Sequence, residues 1–132
     1  MKTFTSMQDY FNQTIQHLLA QKSKCLNSND FCAYLNDEGN KCAIGYWIPE
    51  DHEALEFIGT VSGLIAKYPD LKGVVCPQGM EGAELAKYLQ YLHDEDEYRL
   101  FPSEGTKFTE EGISMIKKIC KKFDLVEPIG LW

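Results

Sequence analysis

Apolar residues recur at helical spacing in several stretches of the chain. Over residues 5–22, Met7, Tyr10, Phe11, Ile15, Leu18 and Leu19 stand between Gln, Asn and Lys, which predicts an amphipathic helix capped by Thr5 or Ser6. A second helix is expected over 81–94, with Leu85, Tyr88, Leu89 and Leu92 on one face. A third is expected over 109–123, with Ile113, Ile116, Ile119, Cys120 and Phe123 as its inner stripe. Thr109 caps it, Glu110 and Glu111 occupy its first turn, and Lys117, Lys118, Lys121 and Lys122 crowd its last turns, so both ends suit the helix dipole. A weaker helical pattern begins at the acidic turn Glu50-Asp51-His52-Glu53. It runs through Leu55, Phe57, Ile58, Val61, Leu64 and Ile65, with Gly59 and Gly63 as candidate breaks and Tyr68-Pro69-Asp70 as a stop.

Residues 31–48 lack this spacing and predict a β-hairpin. Phe31–Leu35 forms one strand and Cys42–Ile48 the other. Asn36-Asp37-Glu38-Gly39-Asn40 is a type I turn closed by a bulge at a left-handed Gly39. That register pairs Tyr34 with Cys42 and Cys32 with Ile44. One face carries Cys32, Tyr34, Cys42 and Ile44, the other Ala33, Leu35, Ala43 and Gly45; both are apolar, so helices should cover both. Pro49, which cannot donate to a ladder, ends the second strand. Leu71–Pro77 reads either as a third short strand or as an extended loop. The expected fold is α+β, in a single domain over 1–132: an N-terminal helix, a central hairpin, then two or three helices packed on it.

Composition adds limits. With 132 residues, 44% of them hydrophobic and 12% aromatic, the chain can build one core and is too apolar for disorder as its main state. It has no run of about 18 apolar residues to span a membrane. Met1-Lys2-Thr3-Phe4-Thr5-Ser6 leads into a polar amphipathic stretch and not the apolar core of a secretory signal, so a cytoplasmic location is expected. The net charge of −7 is concentrated: residues 50–100 hold eleven acids against three lysines and Arg99, while the two flanking thirds are neutral. Such a region repels phosphate, which disfavours direct nucleic-acid binding, and suits either a basic partner surface or a solvated face. Five cysteines, at 25, 32, 42, 76 and 120, follow no C-x-x-C pattern, so reduced thiols are expected and structural zinc is not.

The segments Leu19-Ala20-Gln21, Cys32-Ala33-Tyr34 and Gly39-Asn40-Lys41-Cys42-Ala43-Ile44-Gly45-Tyr46-Trp47-Ile48-Pro49-Glu50 resemble a family of small uncharacterised proteins of tailed bacteriophages and prophages. Its signature is a C-x-Y, a Gly-containing turn, then K-C-A-[IV]-G-x-x-I-P-[DE], and a later Leu-x-x-[IL]-H-D, matched here by Leu89-Gln90-Tyr91-Leu92-His93-Asp94. The likeness covers about residues 15–60 and 85–95. The chain differs in its longer acidic middle and extended C-terminal helix. The motif marks a family and names no activity. Its positions also have a plain structural use: a turn at Gly39, close approach at Gly45, and space-filling by Cys42, Ala43 and Ile44.

Candidate chemistry is thin. A thiol hydrolase or transferase would use Cys32 or Cys42 as nucleophile and His93 as base, but Asp94, the next residue on a helix, points about 100° away and cannot orient His93 well. Cys32, Cys42, His52 and His93 are the only cluster of metal-ligand types, and they lack short-range ligand pairs. The run Asp94-Glu95-Asp96-Glu97 lacks the glycine and spacing of a calcium loop. No Walker or G-x-G-x-x-G motif is present, so no cofactor is expected. There remains a non-catalytic protein that binds a host or viral protein, in host takeover or inhibition of defence, as the resemblance implies. The expected binding residues are the acids Glu50, Asp51, Glu53, Glu56, Glu95, Asp96 and Glu97, with Tyr46 and Trp47 as aromatic anchors if exposed and as core if buried. A self-associating structural module is the third alternative.

Overall fold

The computed structural model describes residues 3–20, 41–57, 61–94 and 110–127. Among these residues the protein is helical: α1 (Met7–Ala20), α2 (Val61–Lys67), α3 (Met80–Asp94) and α4 (Glu110–Phe123), with 3-10 turns at Gly45–Trp47, Glu53–Glu56 and Pro69–Leu71. Helix α3 is central and packs against α1, α2 and α4. No helix among the described residues is long and apolar enough to cross a membrane.

The three long helices stand where their apolar stripes place them. Ser6 caps α1, its Oγ accepting from the Asp9 N–H at 3.0 Å, while the Asp9 carboxylate accepts from the Thr5 N–H at 3.0 Å. Tyr10, Phe11, Ile15 and Leu18 of α1 are buried with Leu85, Leu89 and Leu92 of α3 and Ile116 and Ile119 of α4. At the end of α4, Asp124 turns left-handed (φ 55°) and the Leu125 N–H bonds back to the Cys120 carbonyl at 2.8 Å, a Schellman closure.

The α+β expectation and its β-hairpin are overturned, because the described residues contain no strand. Phe31–Leu35 and the turn 36–40 lie outside the described residues. The proposed second strand, Cys42–Ile48, is a chain of tight turns. The Tyr46 N–H bonds the Cys42 carbonyl, Trp47 bonds Ile44 and Ile48 bonds Gly45, all within 3.2 Å. Cys42, Ala43, Ile44, Gly45, Trp47 and Ile48 are all buried. A strand that alternates faces buries such a run only between two covering layers. A coil buries it by pointing successive side chains inward around one short axis, which an apolar run without alternation permits equally.

Residues 71–77 likewise take turns and no strand. The N–H groups of Val74 and Val75 both bond the Leu71 carbonyl, and Gly73 supplies a positive φ of 78°. The loop, in which Leu71, Val75, Cys76 and Pro77 are buried, is stitched to α1 by the Tyr10 hydroxyl, which donates to the Val75 carbonyl at 2.8 Å. It meets α3 at Gly82, where a Cβ would lie 1.9 Å from the Pro77 carbonyl oxygen. The single weak helix expected from residue 50 onward divides into the Glu53–Glu56 turn and α2, with 58–60 outside the described residues.

Candidate functional site

The segment 41–57 is anchored by its apolar members and displays its charged ones. Trp47 is 1% exposed. Its ring stacks on Tyr10 at 5.0 Å and meets Phe4 and Tyr46 edge-on, and its indole N–H donates to the Thr14 hydroxyl at 2.9 Å. Thr14 in turn donates to the Tyr10 carbonyl at 2.8 Å, so the only buried polar side chain described in the core is satisfied. Trp47 is therefore a core residue with no ring face to offer a partner. Tyr46 is half-buried against His17, ring centres 4.6 Å apart, and its hydroxyl lies 3.4 Å from Gln13 Oε1. Desolvation, reinforced by the Asp9 charge, raises the Tyr46 phenol above its ordinary range.

Past Ile48 the chain changes character. Glu50, Asp51, Glu53 and Glu56 are all exposed, while Ala54 and Leu55 between them are buried. Among the described residues no ion pair engages these four carboxylates. Their frame is fixed by hydrogen bonds. The His52 N–H bonds the Pro49 carbonyl at 3.0 Å, Leu55 bonds His52 at 3.2 Å and Phe57 bonds Ala54 at 3.0 Å. The His52 ring ties this segment to the next turn: Nδ1 accepts from the Ala54 N–H at 3.0 Å and Nε2 faces Asp70 Oδ2 at 2.8 Å. The bond from His52 holds the Asp70 carboxyl below the usual carboxylate range. In the sequence His52 stands out only as one of four scattered metal-ligand types. Its position at the head of an acidic turn was the available sign of a capping role. Nothing in the sequence pointed to Asp70 as its partner.

Cys42 is fully buried, and its sulfur accepts from the Gly45 N–H at 3.2 Å. The Ile44 N–H, 3.4 Å from Gln90 Oε1, brings this segment against α3, the helix that carries His93 in its last turn. The His93 side chain lies outside the described residues, as do Cys32, Glu95, Asp96 and Glu97. A thiol with no exposed surface has no path to a substrate. Burial raises the Cys76 and Cys120 thiols to about 11, the form of inert core cysteines. Among the described residues no group of three or more His, Cys, Asp or Glu side chains is placed to hold a metal ion. His52 and Asp70 make only a pair, and both ring nitrogens are engaged.

No family model, curated protein or solved structure matches the chain.

Proposed function

We propose that this protein is a non-catalytic accessory protein, of the kind tailed bacteriophages encode, that binds a basic surface of a host or viral protein in the bacterial cytoplasm and so modulates it. The observation that carries this is the display of Glu50, Asp51, Glu53 and Glu56. These carboxylates stand exposed on a segment whose intervening side chains, Ala54 and Leu55, are sunk in the core. The backbone that carries them is held by hydrogen bonds, so docking orders side chains but not the chain itself, and like charges close together favour a cationic partner. Half-buried Tyr46 lies on the same stretch of chain. The acids Glu95, Asp96 and Glu97, which follow α3, extend the same charge in sequence. Inhibition of a host defence or takeover of a host process are the roles that fit a small acidic binder.

The test is affinity capture of the tagged protein from bacterial lysate, run beside a variant reversed to lysine at Glu50, Asp51, Glu53 and Glu56. A stoichiometric partner that the reversed protein loses, and that high salt releases, supports the proposal. A partner retained equally by both proteins rules out the acidic surface as its docking site.

A further inference from the structure

We propose that His52 is a proton-operated latch: uptake of a second ring proton releases the head of the Glu53–Glu56 turn and changes how the acidic segment is displayed. The functional consequence rests on the binding proposal above, whereas the latch itself is a property of the free protein.

The geometry fixes the neutral ring in one tautomer. Nδ1 accepts the Ala54 N–H at 3.0 Å, so it carries no hydrogen, and the single ring hydrogen sits on Nε2, where it donates to Asp70 Oδ2 at 2.8 Å. The ring is held edge-on to Tyr68, centres 5.3 Å apart, with its side chain 17% exposed. The backbone of His52 is extended (φ −79°, ψ 134°), as an N-cap requires, and its ring nitrogen satisfies one of the free N–H groups at the start of the turn.

A second proton has only Nδ1 to go to. Once protonated, that nitrogen becomes a donor facing the donor on Ala54, and the cap cannot persist. The opposite edge of the ring behaves in the reverse sense. The Asp70 carboxylate, held ionised by this same contact, gains a full ion pair with the imidazolium. Proton uptake therefore moves His52 from capping the turn toward pairing with Asp70, and the strain falls on Ala54 and its flanks. Asp70 and Tyr68 of the 68–71 turn face the ring, and Lys67 at the end of α2 lies over Tyr68, its Nζ 5.6 Å from the centre of that second ring. Its own segment carries the exposed carboxylates Glu50, Asp51, Glu53 and Glu56. The turn keeps its remaining bonds, from Leu55 to His52 and from Phe57 to Ala54, so the release is local and leaves the core intact.

The experiment is a pH titration of the 15N-labelled protein followed by NMR, read at the His52 ring nitrogens and at the Ala54 amide. The latch predicts an Nε2–H tautomer at neutral pH. It also predicts that Ala54 hydrogen exchange, relative to its intrinsic rate, quickens about tenfold as the ring takes up its second proton. His52→Asn, whose side-chain oxygen keeps the cap and takes up no proton, should show no such step. An Nδ1–H tautomer, or a ring that titrates while Ala54 protection stays constant, overturns the latch. Neither result bears on the charge-reversal capture, so the two proposals fail separately.

Discussion

Gly82 shows how little room the interior leaves at the scale of one residue. An alanine methyl would lie 1.9 Å from the Pro77 carbonyl oxygen and 2.5 Å from its carbonyl carbon, backbone atoms with no flexible end to yield. Gly82→Ala should therefore cost about 2 kcal/mol or more, read as a lower denaturant midpoint at unchanged slope. Tyr10→Phe removes the hydroxyl that satisfies the buried Val75 carbonyl and should cost about 1–3 kcal/mol by the same measurement. Asp124 lies at the opposite extreme. It holds a left-handed conformation that glycine adopts freely, and it sets a negative charge at the C-terminus of α4. Asp124→Gly should raise stability by about 0.5–1 kcal/mol, and an unchanged or lower melting temperature would contradict the strain assigned to that position.

Among the elements, what was legible in the sequence follows from amphipathicity. Helices α1, α3 and α4 each present an apolar stripe to the core and polar residues to water, and that contrast has a period of 3.6 in the sequence. The segment 42–48 offers no contrast, because Cys42, Ala43, Ile44, Gly45, Trp47 and Ile48 are buried together. An apolar run of that length fits a strand or a coil equally, and the neighbouring Asn and Gly residues are what favours a hairpin in the sequence. The acidic candidates at 50–56 were legible as charge. Their frame was not: its backbone bonds close short turns that leave no periodic mark in the sequence, and the tie of His52 to Asp70 spans 18 residues. A similar non-local tie holds the end of the described chain: the Gln8 amide bonds both the N–H and the carbonyl of Val126, at 2.7 and 3.1 Å. Gln8→Ala should speed exchange of the Val126 amide and leave the amides of α4 unchanged.

For the whole molecule, charge and titration set the conditions under which the fold holds. Hydrogen bonds from Thr5 and Gln13 lower the Asp9 carboxyl, and the bond from His52 lowers Asp70. A carboxyl depressed by folding stabilises the native state above its unfolded pKa, and that contribution disappears as pH falls through the folded value. Stability should therefore decline on the acid side, below the ordinary carboxylate range. Cys76 and Cys120 act at the other end. Their thiols titrate near 11 when folded and at the ordinary thiol value when unfolded, so stability should fall as pH rises between the two. Denaturant midpoints measured across pH should trace this plateau, and a profile that keeps rising beyond the ordinary thiol pKa would contradict the assigned burial of both thiols.

The most direct test of the binding role is the affinity of the purified protein for the partner captured from lysate, measured at several salt concentrations for the native chain and for the chain reversed at Glu50, Asp51, Glu53 and Glu56. A docking site on the displayed carboxylates predicts binding that weakens steeply with salt and drops by at least about tenfold on reversal, while the melting temperature stays unchanged. Equal affinity of both proteins, with no salt dependence, would place the contact elsewhere on the molecule.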